Sequence, residues 1–265
     1  FCTAPKCSPS RAAMMTGRYP QSNGVFGLTH APHWWAYRPG EQHLAAVLRE
    51  AGYRTHLFHF QHEAEDALSL GFDEWHARHA PHAPNAMPDP YGHQPATEVA
   101  VAFEHFCAAR PAAPFYAQIG FFETHNPLDF GGNRGDDRRG VAVPPYWADT
   151  PKNREFFRRL QGAIRQTDDA VGRIREALRR HGLEDNTLLV FTMDHGLSLA
   201  RAKGSCYEKG LEVALLMHWP AGGVSGGRVC ERLLSTVDVF PTVLELAGLR
   251  AAPNVEGLSF ATAAR

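Results

Sequence analysis

The sequence predicts an α/β fold in which helices flank both faces of a mostly parallel or mixed central sheet. Two observations indicate this: segments with helical spacing alternate with short apolar segments, and that order recurs three times along the chain. The chain has 265 residues, 44% of them apolar and 21% charged, so it is long enough to bury a substantial core. We expect residues 1–265 to form a single domain.

The first two helix-then-strand units lie in the first half of the chain. Residues 41–51 have helical spacing, Gly52 supplies a stop signal, and residues 54–60 follow as a strand. Residues 96–109 predict a second helix, and the apolar run 115–122 predicts the strand after it.

The third unit is the longest. Residues 153–181 keep a helical period until Gly182, and residues 187–193 follow as a strand. Residues 213–218 predict one more buried strand, and residues 237–246 predict a helix with a proline in its first turns.

Two irregular stretches, residues 76–93 and 126–147, separate these units and are rich in Pro, Gly, His and Asp. Loops of this length in a compact domain are usually functional or insertions.

Charge and composition exclude several kinds of partner. Lys and Arg total 27 against 28 Asp and Glu, so a net charge of -1 provides no basic field for nucleic acid or an anionic membrane. The apolar runs are well short of the roughly 20 residues that cross a bilayer. The five cysteines are scattered and contain no Cys-x-x-Cys pair, so they decide neither the redox compartment nor zinc binding.

The first residue, Phe1, is neither an initiator methionine nor part of a targeting segment. We therefore expect the sequence to be part of a longer protein.

Polar side chains follow three predicted strands, and a fourth polar segment opens the chain. Ligands of open α/β sheets gather at the carboxyl ends of the strands, so these positions predict a functional site. The positions are His59 and His62; Glu123, Thr124 and His125; Asp194, His195 and Gly196; and residues 1–17.

Cys7 lies at the predicted start of a short helix, in which Ser8 can cap, Pro9 suits the first helical position and Gly17 ends the element. A thiol at the positive end of a helix is nucleophilic and can face an anion. The alternative for such a cysteine is a buried structural role.

The pattern Cys7-x-Pro-Ser-Arg11, followed four residues later by Thr16-Gly17-Arg18, resembles the signature of the type I sulfatases of the alkaline phosphatase superfamily. The resemblance implies that a formylglycine-generating enzyme oxidises Cys7 to formylglycine, whose hydrate supplies the nucleophile, and that Arg11 steadies this hydrate. It also implies that residues 1–265 are a partial sulfatase catalytic domain, without the family's first strand and small C-terminal subdomain.

Asp194-His195-Gly196 is similar to the metal motif of that family. The resemblance implies that Asp194, His195 and the group derived from Cys7 bind a divalent ion, with Ca²⁺ as the expected metal and Mg²⁺ as the alternative.

Three further positions match family elements. By resemblance, Lys203 would hold sulfate oxygens, His125 would lie near the leaving-group oxygen, and His62 would take a proton from the hydrate. Either His125 or Lys203 would protonate the leaving group. Phe60 departs from the pattern, because the family has a lysine two positions before this histidine. One cation is therefore expected to be missing, unless His59, His56 or a loop residue replaces it.

The function implied is hydrolysis of a sulfate ester or sulfamate on a sulfated carbohydrate. Within the family, the resemblance is greatest to the heparan N-sulfatase branch. It lies in the sequence Cys7-Ser-Pro-Ser-Arg11, in residues 23–28 and in the nine-residue spacing from Asp194 to Lys203. A phosphonate or phosphodiester hydrolase of the same superfamily and an inactive homologue are the alternatives. The resemblance is consistent with a periplasmic or secreted protein, although nothing else in the sequence indicates the compartment.

Overall fold

The computed structural model describes residues 1–76 and 93–265, so most of the irregular stretch 76–93 lies outside the described residues. Five strands are present in this part of the chain: β1 (Arg54–His59), β2 (Glu74–His76), β3 (Phe115–Gly120), β4 (Leu189–Thr192) and β5 (Leu215–His218). The α-helices are α1 (Cys7–Thr16), α2 (Pro20–Asn23), α3 (Leu44–Glu50), α4 (Ala96–Ala108), α5 (Pro151–Arg180), α6 (Glu208–Leu211), α7 (Val239–Leu246) and α8 (Ala261–Ala264).

The first three strands form a parallel sheet in the order β2-β1-β3. Strands β4 and β5 pair with each other in antiparallel orientation, so the sheet structure as a whole is mixed. In the part of the chain that the structure describes, these two sheets are separate. The three-residue strand β2 is an element that the apolar pattern did not predict.

Helices cover both faces of the parallel sheet, as predicted. On one face, Phe58 of β1 packs with Phe103 and Phe106 of α4 and with Ile174 of α5. On the other face, α3 and α7 pack through Leu48 and Leu244, and Tyr116 of β3 also contacts this cluster. Complete burial of a side chain such as Phe58 stabilises the fold by about 1.5–3 kcal/mol.

Local signals set the ends of the longer helices. Thr150 caps α5 by accepting a hydrogen bond from the backbone N–H of Asn153 at 3.3 Å, and Pro151 occupies the first helical position. The predicted helix 237–246 instead begins as a 3₁₀ turn, Thr236–Asp238, and continues as α7. Ser235 and Asp238 form a reciprocal capping box there, which accounts for the earlier start.

Helix α5 is long but carries many charged side chains. Over residues 1–76 and 93–265, we find no helix that combines the length and the apolar content needed to cross a bilayer.

Candidate active site around Cys7

Helix α1 begins at Cys7 and places three polar side chains on one face, because Cys7, Ser10 and Arg11 have the spacing i, i+3 and i+4. Gly17 ends the helix with a φ of +66°, and a β-carbon there would meet Phe240 at 2.9 Å. A left-handed residue in so close a contact has to be glycine.

The first residues are held against the loops that follow β4. The backbone N–H of Cys2 donates to the Leu211 carbonyl at 2.7 Å, and the N–H of Gly204 donates to the Pro5 carbonyl at 2.7 Å. Ser10 donates from its hydroxyl to the carbonyl oxygen of Asp194. These bonds bring the start of α1 to the carboxyl end of β4.

Cys7 is buried, and its sulfur lies 3.3 Å from Nε2 of His195. The other ring nitrogen, Nδ1, contacts the carbonyl oxygen of Gly196 at 2.6 Å, so this contact turns Nε2 towards the sulfur. The backbone at Gly196 lies close to that of Lys209. A β-carbon on residue 196 would lie 1.7 Å from the carbonyl oxygen of Lys209, so no larger residue fits there.

The ionisation of Cys7 is strongly perturbed. Burial raises the pKa of the thiol, but hydrogen bonds from His195 and His62 outweigh burial and lower this pKa from 9.0 to about 5. Burial also lowers the pKa of His195, yet the Cys7 sulfur and the Asp194 carboxylate outweigh it and raise that pKa. The two shifts place the shared proton on His195 rather than on Cys7.

Asp194 is the acidic partner of this site. Its Oδ2 accepts a hydrogen bond from Nε of Arg11 at 2.9 Å, and its Oδ1 accepts the backbone N–H of His195 at 3.0 Å. Burial raises the pKa of Asp194, but the charges of Arg11 and His195 outweigh burial and hold it below the ordinary value.

A metal ion would find three donors at this point. One ligand atom from each of Cys7, Asp194 and His195 lies within 4.8 Å of the others. Asp194 contributes carboxylate oxygen, which a hard divalent cation favours, and His195 contributes a nitrogen.

Lys203 and His125 form a second pair in the same cleft. The lysine Nζ lies 3.4 Å from His125 Nε2, and His125 Nδ1 lies 2.7 Å from the Asn126 carbonyl oxygen. Nδ1 therefore carries the proton of a neutral His125, and Nε2 accepts from the ammonium group of Lys203.

All seven residues predicted for the site line one large cleft. These residues are Cys7, Arg11, His62, His125, Asp194, His195 and Lys203. Their catalytic and metal-binding roles remain predictions.

Phe60 supplies no charge, and neither suggested histidine replaces the expected lysine. His59 is buried, with Nδ1 3.1 Å from the Gly120 carbonyl and Nε2 2.9 Å from the backbone N of Gln94. His56 faces His76 on the neighbouring strand. The Phe60 ring instead lies against Arg11, whose guanidinium carbon is 4.9 Å from the ring centroid.

Two polar residues near the site were not predicted. The spacing of Ser10 from Cys7 and Arg11 on one helical face is a signal that could have identified it. Glu63 is fully buried beside the positive charge of Arg11, and its carboxylate accepts the backbone N–H of His62 at 2.9 Å. In the sequence, the only indication of a role for Glu63 is its position next to His62.

Comparison with known proteins gives consistent results. The sulfatase family model matches residues 1–249. N-acetylgalactosamine-6-sulfatase of Mus musculus is 31% identical over 94% of this chain and 55% of that protein. N-sulphoglucosamine sulphohydrolase of Homo sapiens is 25% identical over 92% of this chain and 52% of that protein. The chain therefore spans about half the length of these relatives.

The fold of this chain also resembles that of a solved structure. The crystal structure of i-CgsB, in complex with k-i-k-neocarrahexaose, superposes with a TM-score of 0.75 at 24% identity and covers 99% of this chain and 66% of that one. At this identity the likeness concerns the fold, which is of the alkaline phosphatase type.

Proposed function

Because this chain belongs to the sulfatase family, we propose that the whole protein hydrolyses sulfate esters or sulfamates of a sulfated carbohydrate. The observation that carries the proposal is the contact of 3.3 Å between the Cys7 sulfur and His195, in a cleft that also holds Arg11 and Lys203. The names of the two relatives indicate one O-sulfated and one N-sulfated sugar, so both linkages belong in the first assays.

Sulfatases generally use a formylglycine and a divalent metal. We assign the formylglycine to Cys7, modified by a formylglycine-generating enzyme. One hydroxyl of its hydrate attacks sulfur and gives its proton to water, the bond from sulfur to the leaving oxygen or nitrogen breaks, and the sulfuryl group (SO₃) is transferred to the hydrate oxygen. His62 then removes the proton of the second hydroxyl, the C–O bond to sulfate breaks, and the aldehyde forms again.

Two cations can neutralise the sulfate oxygens during attack. Nε of Arg11 is used by Asp194, so the terminal nitrogens of the guanidinium are the ones that would face sulfate. Lys203, from its pair with His125, adds its ammonium group. Fixed charges aimed at the developing negative charge can contribute several kcal/mol of transition-state stabilisation.

Of His125 and Lys203, we assign protonation of the leaving group to Lys203. Since His125 accepts at Nε2, the available proton in this pair belongs to the lysine, and His125 orients the ammonium group. The proton moves from Nζ to the departing oxygen or nitrogen as its bond to sulfur breaks.

Asp194, His195 and the oxygens of the Cys7-derived hydrate fit a divalent ion, for which we propose Ca²⁺, with Mg²⁺ as the alternative. Replacement of sulfur by hydrate oxygens suits a hard cation, which prefers six or more oxygen ligands in the case of calcium. A bound ion would supply Lewis-acid polarisation of the sulfate.

The test uses the full-length protein co-expressed with a formylglycine-generating enzyme. Turnover is compared on an aryl sulfate, an N-sulfated glucosamine and an aryl phosphodiester, with Cys7→Ser as the matched control. We expect hydrolysis of a sulfated substrate that Cys7→Ser abolishes. A clear preference for the phosphodiester would favour the phosphorus hydrolase, and no turnover by protein shown to be modified would indicate an inactive homologue.

A further inference from the structure

A second cluster of metal-ligating side chains lies on strands β1 and β2. It is separate from the Cys7 site and from the pair formed by Lys203 and His125. The parallel register places His56 opposite Glu74 and Phe58 opposite His76. Because side chains two residues apart project from the same face of a strand, Glu74 and His76 share one face of β2. Three ligand atoms, one each from His56, Glu74 and His76, converge at this point.

The separations of these atoms suit one metal ion. His56 Nδ1 lies 3.0 Å from His76 Nε2, His76 Nε2 lies 3.4 Å from Glu74 Oε2, and His56 Nδ1 lies 3.8 Å from Glu74 Oε2. In tetrahedral coordination with bonds of about 2.0–2.1 Å, neighbouring ligand atoms are roughly 3.3 Å apart. The three measured separations bracket that value.

Aromatic packing fixes both rings. His76 stacks on Phe58 with centroids 4.5 Å apart and an interplanar angle of 13°. His56 lies 4.6 Å from the ring of Phe106, and both phenylalanines are buried in the core. A ligand pair held in place by the core loses little conformational entropy when it binds a metal.

The cluster is also open to solvent on one side. The Glu74 side chain is 61% exposed, so solvent and ions can reach the cluster from that side.

We propose that His56, Glu74 and His76 form a second metal site, selective for Zn²⁺ over Ca²⁺ or Mg²⁺, with water completing the coordination. Two imidazole nitrogens and one carboxylate oxygen suit zinc and the neighbouring transition metals, whereas calcium and magnesium require mainly oxygen ligands. This site is independent of the proposed sulfatase activity. Without a metal, the 3.0 Å contact between His56 Nδ1 and His76 Nε2 is a hydrogen bond between two neutral rings. A bound metal would replace this hydrogen bond.

The experiment titrates the metal-stripped full-length protein with Zn²⁺ in competition with a chromophoric chelator. It is carried out in a Cys7→Ser background, which weakens the other cluster. We expect one high-affinity zinc per chain, and a Kd at least about 100-fold higher for His76→Ala and for Glu74→Gln, since loss of even an outer partner of a ligand costs 10–100-fold. His105→Ala is the matched control, because His105 is an exposed histidine on α4 outside the cluster.

A second measurement guards against a variant that fails to fold. Zinc should raise the melting temperature of the Cys7→Ser parent and of His105→Ala, and should leave that of His76→Ala unchanged. Equal zinc affinity in the parent and His76→Ala, or no zinc binding by the folded parent, would overturn the proposal and leave the contact as a hydrogen bond.

Discussion

The guanidinium carbon of Arg11 lies 4.9 Å from the centroid of the Phe60 ring, while Nε of the same arginine bonds to Asp194 at 2.9 Å. At the position where the resemblance implied a lysine, Phe60 supplies no charge and instead supports the cation that α1 provides. The ring and the carboxylate together fix Arg11 beside Cys7.

Loss of this support should weaken transition-state binding. We expect Phe60→Ala to lower kcat/KM for the best sulfated substrate by about 3- to 30-fold, the equivalent of a cation–π contact of roughly 0.7–2 kcal/mol. Phe60→Tyr retains an aromatic face and should stay within about threefold of the parent. Equal activity of Phe60→Ala and the parent, in folded protein, would remove the role assigned to this ring.

The unmodified protein, made without the modifying enzyme, should contain a thiolate at neutral pH. Alkylation of Cys7, followed by peptide mass spectrometry from about pH 4 to 9, should increase with pH around a midpoint near 5, because the lowered pKa favours the thiolate above that value. Cys107 is an internal control, since burial raises its pKa to about 11.

His195→Gln removes the main partner of the thiolate and should move the Cys7 midpoint upwards. A midpoint near 9 in the parent would show that the contact with His195 does not stabilise the thiolate.

Lys203→Met should affect substrates according to their leaving groups. General acid catalysis contributes about 10²–10⁴-fold, so we expect kcat on a sugar sulfate to fall by 100-fold or more, and kcat on an activated aryl sulfate to fall by less than about tenfold. Lys152→Met, at an exposed lysine of α5, is the control. An equal loss on both substrates would assign Lys203 to sulfate binding alone.

Asp194→Asn should reduce stability in a manner that depends on pH. The pKa of Asp194 is held below 3.8, so the carboxylate stabilises the fold fully above pH 3.8, and this contribution declines as pH falls through the lower folded-state value. At neutral pH we expect Asp194→Asn to lower the free energy of unfolding by about 2 kcal/mol, which is less than the 3–5 kcal/mol of a fully buried ion pair. This loss should become smaller in acid. Urea unfolding of both proteins across this range measures it, and a difference that grows in acid would contradict the assignment.

The sequence predicted the parts of the molecule that depend on local pattern. The three helix-then-strand units follow from apolar periodicity and stop signals, and Cys7 and Arg11 share a face because they are four residues apart on α1. Resemblance to a family predicted the remaining site residues, and in the structure these line the same large cleft.

Contacts between distant segments could not be predicted in this way. His125 and Lys203 are 78 residues apart, and their pairing depends on how two loops meet. The stacking of Arg11 on Phe60 and the pairing of β2 with β1 likewise arise from tertiary packing, for which a three-residue strand or a single aromatic residue provides no periodic signal.

The most direct test is mass spectrometry of the peptide that contains Cys7, from full-length active protein made together with a formylglycine-generating enzyme. Conversion of the thiol to an aldehyde lowers the peptide mass by about 18 Da, and we expect the modified fraction to rise in parallel with sulfatase turnover. Full turnover by protein whose Cys7 peptide retains its unmodified mass would contradict the account.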